Sequence, residues 1–168
     1  MSRTRSTVWN TITLLIGFVG LSSLISCDKK RVFDEYKSVG TAWHKDSVLH
    51  FDFPKIDTTK QYNLFINIRD NDNYPFNNLF VIVSLEQPDG ITKVDTLEYQ
   101  MADAEGNLLG NGFTDIKESK LVYKERMRFK SGIYKAHIRH AARQTGKLAG
   151  VEKLNGVTEV GFRIEKIE

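Results

Sequence analysis

The sequence predicts an all-β protein: an antiparallel β-sandwich, Ig-like or jelly-roll-like, behind an N-terminal lipoprotein signal peptide. Three observations predict it. Beyond residue 47 the apolar residues recur with period two rather than 3.6. The alternating runs are short and are separated by turn-forming residues. Two arginines followed by an uncharged apolar run open the chain.

Composition sets the outer bounds. The 168 residues suit one domain with a short appendage. At 40% hydrophobic and 27% charged, the chain can bury a core. A formal charge of +3 is too balanced for a dedicated nucleic-acid binder. The single cysteine excludes an intramolecular disulfide and a cysteine-based zinc cluster.

The first element is an address. Arg3 and Arg5 precede the apolar stretch Ile12–Ile25, with no charge between Arg5 and Asp28. A membrane-spanning helix needs about 20 apolar residues, so a secretory signal fits better than a retained anchor helix. The stretch ends in Leu24-Ile25-Ser26-Cys27, which resembles the bacterial lipobox. A small side chain at Ser26 lets a peptidase reach the bond, and the Cys27 thiol is the nucleophile that accepts a diacylglycerol group. The expected division is 1–26 as signal peptide, 27–46 as tether and lead-in segment, and 47–168 as the sandwich domain. Cleavage removes two arginines and brings +3 down to +1, which further disfavours nucleic acid. Each buried CH₂ contributes about 0.8 kcal/mol, so two or more acyl chains hold a protein on its membrane. The expected location is the cell envelope, on the outer or inner membrane.

Seven strands follow. Leu49–Phe53 alternates. Tyr62–Arg69 puts Tyr62, Leu64, Ile66 and Ile68 on one face. Leu79–Leu85 is a continuous β-branched and aromatic run, the pattern of a strand buried on both faces. Thr92–Tyr99 is less regular. Leu121–Phe129 alternates from Tyr123 onward. Ile133–His140 places Tyr134, Ala136 and Ile138 together, and Val157–Ile167 places Val160, Phe162 and Ile164 inward. Turn residues at Asp57-Thr58-Thr59, Asn71-Asp72-Asn73, Pro88-Asp89-Gly90, Glu105-Gly106-Asn107 and Lys130-Ser131-Gly132 separate them. Ala141–Gly156 holds either one short helix or a loop.

Chemistry is sparse. His137 and His140 point to opposite faces of one strand, and His44 and His50 form no ligand spacing with them. Asp70-Asn71-Asp72-Asn73 lacks the glycine and final glutamate of an EF-hand loop, and Asp103–Asn107 is similarly incomplete; both read as Asx turns. No nucleophile elbow or phosphate loop is present, so no catalytic residue and no cofactor is expected. Two loops carry more apolar and aromatic residues than turns require: Asn73–Asn78 and Asn107–Phe113. Tyr74, Phe76, Asn77, Leu109 and Asn111 are the candidate partner or ligand surface. The alternative is that these side chains cap the core. Trp43 is likewise either a core plug or an exposed anchor.

The chain resembles the GldH gliding-motility lipoproteins of the Bacteroidetes. The resemblance is carried by Phe33-Asp34-Glu35-Tyr36-Lys37, Trp43, Tyr62–Arg69, Tyr74–Phe80, Asp95–Tyr99, Leu109–Gly112, Gly132, Tyr134 and Val160–Glu165. Leu109 departs from the tryptophan expected before the glycine. The resemblance implies a non-enzymatic envelope lipoprotein, lipidated at Cys27, that supports gliding motility. Its implied partners are other gliding-motility envelope proteins and machinery overlapping type IX secretion. Asp46-Ser47-Val48, Asp57-Thr58-Thr59 and Asp95-Thr96-Leu97 also resemble short O-glycosylation sites of that phylum. The rival expectation is an envelope lipoprotein that binds glycan or calcium through the Tyr74 and Gly110 loops.

Overall fold

The computed structural model describes residues 28–112, 114–143 and 150–167. The signal peptide and Cys27, expected from the sequence, lie outside the described residues. Ten strands run in order: β1 (Arg31–Ser38), β2 (Ala42–His44), β3 (Leu49–Asp52), β4 (Tyr62–Asp70), β5 (Asn78–Glu86), β6 (Thr92–Gln100), β7 (Lys117–Met127), β8 (Lys135–His140), β9 (Lys153–Asn155) and β10 (Val157–Lys166).

Their pairing is nested. β5 pairs with β6, β4 with β7, β3 with β8, β2 with β9 and β1 with β10, all antiparallel. The chain is thus one long hairpin. Its tip is the turn at Pro88-Asp89-Gly90, closed by Gln87 N–H donating to Ile91 O at 2.9 Å, with Gly90 at φ 80° supplying the left-handed step. Successive rungs fall alternately into two sheets, β1-β10-β4-β7 and β3-β8-β5-β6, with β2-β9 as a small ribbon. The added pairs β4–β10 and β5–β8 close the roll. Of the two architectures expected, this is the jelly roll.

The core lies between the sheets. Leu64, Ile66, Ile68, Val160, Phe162 and Ile164 of the β4 sheet meet Leu79, Val81, Val83, Ala136, Ile138 and Phe51 of the β5 sheet, all fully buried. Phe53 stacks on Phe162 at 4.9 Å between centroids. Each large apolar side chain buried this way contributes about 1.5–3 kcal/mol before entropy is counted.

The seven predicted strands are present, and three features differ from expectation. Residues 31–44, expected as tether and lead-in, contain β1 and β2; β1 completes the β4 sheet by pairing with β10. β5 is buried on one face only: Leu79, Val81, Val83 and Leu85 are buried, whereas Phe80, Ile82 and Ser84 are intermediate. Among the described residues no layer covers that outer face. Residues 141–156 yield β9 against β2 rather than a helix at their described end. Trp43 is a core plug, fully buried, its Nε1–H donating to Ser47 O at 2.9 Å.

Candidate functional site

The two candidate loops meet at one end of the roll. The β4–β5 connection carries Tyr74, Phe76 and Asn77, and the β6–β7 connection carries Leu109 and Asn111. Met101 and Ala102 join them. Asn77 O accepts from Met101 N at 2.7 Å and from Ala102 N at 3.2 Å, while Met101 O accepts from Leu109 N at 2.7 Å. Sequence spacing hides this convergence, because the stitches are backbone bonds between residues far apart in the chain.

The five side chains do not share one role in that geometry. Tyr74 is 6% exposed and donates its hydroxyl to Asn78 O at 2.7 Å. Burial raises its pKa, and neighbouring Asp70 adds to the rise. For Tyr74 the capping alternative describes the structure. Phe76 packs edge-on against Tyr74 at 6.1 Å and is half-buried. Asn77, Leu109 and Asn111 are exposed. Asn111 exchanges backbone hydrogen bonds with Glu118, 2.9 Å in each direction, so its loop runs along β7. Gly110 makes that approach possible: at φ 115°, a Cβ would stand 2.8 Å from both Glu118 O and Ser119 Oγ. Phe76, Asn77, Glu98, Gln100 and Asp103 line a cleft of ≈ 780 Å³; Leu109 and Asn111 stand outside it.

Both suspected calcium fragments are turns. Asp103 Oδ1 accepts from Glu105 N (3.0 Å) and Asn107 N (2.8 Å), and Oδ2 from Asn107 Nδ2 (2.9 Å). These bonds hold its pKa below the usual value. Asn71 Oδ1 accepts from Asn73 N at 3.0 Å. Asp70 itself is fully buried, and neither carboxylate oxygen has a partner among the described residues. Burial away from water pushes its pKa up to about 7.

Two clusters were not legible in the sequence. His50 and His137 face each other across β3 and β8, Nδ1 to Nδ1 at 2.5 Å. The outer face of the β4 sheet carries a lattice of ion pairs. Arg163 binds Asp34 at 2.6 Å, Glu165 at 2.7 Å and also Asp28. Arg69 binds Glu159 at 2.6 Å and Glu118 at 2.7 Å. Its guanidinium lies 4.2 Å from the Tyr36 ring centroid. Gly161 leaves room for that ring, since a Cβ there would sit 2.9 Å from Tyr36 Cδ1 and Cε1. The in-phase charges Glu159, Arg163 and Glu165 of β10 were the available signal, but register decides which partners they meet.

A family model described as GldH lipoprotein matches residues 31–164, from the start of β1 to all but the last two residues of β10. The chain belongs to the GldH lipoprotein family. It is 71% identical over 143 residues to "Gliding motility lipoprotein GldH" of Flavobacterium johnsoniae, covering 85% of this chain and 89% of that protein. It is 54% identical over 142 residues to "Gliding motility lipoprotein GldH homolog" of Christiangramia forsetii, covering 84% and 87%. A solved family GH115 4-O-methyl-α-glucuronidase aligns at 15% identity and TM-score 0.44 over 86% of this chain and only 19% of its own, too loosely to carry an argument. The GldH match spans all ten strands, so both candidate loops, the ion-pair lattice and the β5 sheet belong to the family's domain.

Proposed function

We propose that this chain is a lipid-anchored envelope protein that supports gliding motility as a non-catalytic assembly component, tethered through Cys27 and linked to type IX secretion. The observation that carries the reading is the 71% identity, over 85% of the chain, to a gliding motility lipoprotein. The way the polar groups are used supports a non-catalytic body. Asp103 is consumed by its own turn, and Asp95 by Tyr123 and Lys124, each at 2.8 Å. The β4 face closes on itself through ion pairs. Such groups hold structure rather than wait for substrate.

Deleting the gene is expected to abolish cell-surface translocation and to reduce type IX secretion. A deletion strain that glides and secretes normally overturns the role. Cys27→Ala is expected to move the protein out of the membrane fraction, and retention there overturns the anchor. The cleft beside Phe76 favours a second reading, glycan binding. Its aromatic ring and the carboxamides of Asn77, Asn78 and Gln100 are the groups that recognise sugars. Saturable heat on titrating envelope glycans into the protein would promote that reading over the first.

A further inference from the structure

The jelly roll has four open edges, and three of them carry devices that discourage another strand. β3 is only four residues long. The β1 ladder slips between Arg31 and Phe33. β7 meets β4 with two register shifts, holds Arg126 at φ 52°, and has its Val122 carbonyl taken by the Tyr99 hydroxyl at 2.8 Å. β6 has no such break in its ladder; its guard is charge alone, from Lys93, Asp95 and Glu98. Its nine residues contain no proline and pair with β5 one for one, from Thr92↔Glu86 to Gln100↔Asn78, without a shift. No strand lies on its far side among the described residues.

The phase of the ladder fixes what that edge offers. Gln87 N–H donates to Ile91 O at 2.9 Å, and Met101 N–H to Asn77 O at 2.7 Å. The odd-numbered residues of β6 therefore turn their backbone groups toward β5. Alternation along an antiparallel strand leaves the N–H and C=O of Thr92, Val94, Thr96 and Glu98 aimed at the open edge. Val94 stands in the middle with its side chain 63% exposed, and Ile91 just before β6 is 53% exposed.

We propose that β6 pairs antiparallel with β6 of a second copy, about a two-fold axis at Val94. The sequence of the strand is self-complementary in that register. Val94 meets Val94, Lys93 meets Asp95 of the other copy, Thr92 meets Thr96, and Ile91 meets Leu97. Asp95 uses Oδ2 for both Tyr123 and Lys124 of β7, which leaves Oδ1 to accept from the second copy's lysine. Other two-fold centres do worse: an axis at Lys93 or Asp95 opposes like charges, and one at Thr96 sets Val94 against Glu98. The axis at Val94 provides paired backbone hydrogen bonds at Val94 and at both Thr92–Thr96 positions, and it joins the two β5 sheets into one. Two copies held on one membrane would meet at high effective concentration, so a short edge contact suffices. The proposal holds whether or not the protein works in motility.

Cysteine cross-linking of the full chain in its own membranes tests it. In this register two Val94 residues are opposite each other, within disulfide reach. Two Thr92 residues lie about 13 Å apart along the strands, outside it. Under mild oxidation Val94→Cys is expected to give at least about tenfold more dimer than Thr92→Cys or Thr96→Cys alone. Co-expressed Thr92→Cys and Thr96→Cys chains are expected to link to each other. Val94→Pro removes an edge N–H that β5 does not use and fixes φ at a position where an edge strand tolerates it, and it is expected to abolish that mixed link while the protein stays folded by circular dichroism. Three results overturn the proposal: no dimer from Val94→Cys above the unsubstituted chain; Thr96→Cys linking to itself more than Val94→Cys, which means another register; or Val94→Cys linking to a different protein, which means a foreign strand fills the edge.

Discussion

The outer faces of the two sheets have the same geometry and opposite chemistry. On the β4 sheet, Arg163 and Arg69 bind carboxylates of neighbouring strands, and Lys120 of β7 reaches across β4 to Glu165 of β10. Lys120 also covers Phe65 at 4.1 Å. Arg163, Asp34 and Glu165 are each only 14–15% exposed although no further layer packs on them among the described residues. Long charged stems have covered the face, with Val122 at the margin left open. On the β5 sheet the outward residues at the middle of β5 and β6 are Phe80, Ile82, Ser84, Val94 and Thr96, with Glu86 and Glu98 toward the ends; the middle is short or apolar, and it ends at an edge whose ladder is unbroken. The β4 face is spent on stability, and the β5 face is free for association.

Arg163→Ala leaves two nearly buried carboxylates without their shared cation and is expected to cost roughly 3 kcal/mol in urea denaturation. A loss under about 1 kcal/mol would make the lattice an ordinary solvated surface.

Acid and base separate the face from the interior. At Glu165, burial raises the pKa, but the hydrogen bonds from Lys120 and Arg163 outweigh it, and the net shift is downward. Its stabilisation is therefore present above the normal carboxylate range and lost as pH falls. Asp70 works the other way. Its pKa, 3.8 in the reference state, rises to about 7 in the fold. The folded chain keeps a proton that the unfolded chain releases. The Asp70 contribution is fully present below about pH 4 and is lost as pH rises through about 7. Asp70→Asn is expected to stabilise the protein by roughly 2 kcal/mol at pH 8 and to flatten the pH 4–7 limb. The acid limb should remain. Unfolding curves at stepped pH check both.

Gly161→Ala pushes a methyl group into the Tyr36 ring and disturbs the Arg69 stack, for an expected loss of roughly 1–2 kcal/mol. Val94→Ser, on the other face, is expected to shift stability by less than about 0.5 kcal/mol. Thermal melts of the two variants together sharpen the contrast between the faces.

Period-two alternation made β3, β4, β8 and β10 legible, since one face of each is core. β1 escaped because it is half-buried along most of its length: Phe33 faces the core, and Asp34 and Tyr36 face partners on β10 and β4 that only register reveals. β2 and β9 are too short to show a period. The Leu79–Leu85 run read as buried on both sides because hydrophobicity does not say whether a second layer exists. At the candidate site, loop composition pointed to Tyr74 and Leu109, but composition cannot separate a buried ring from an exposed side chain. β6 looked irregular for the reason that makes it useful: an edge strand with one weakly buried face carries little alternation.

The most direct test of the β5-sheet side as the working surface is cell translocation. The Val94→Pro chain is expressed in Flavobacterium johnsoniae lacking its own gliding motility lipoprotein. With normal protein level and membrane fraction, the account predicts that cells carrying Val94→Pro fail to glide where the unsubstituted chain restores movement. Gliding at the restored speed with Val94→Pro in place would contradict it.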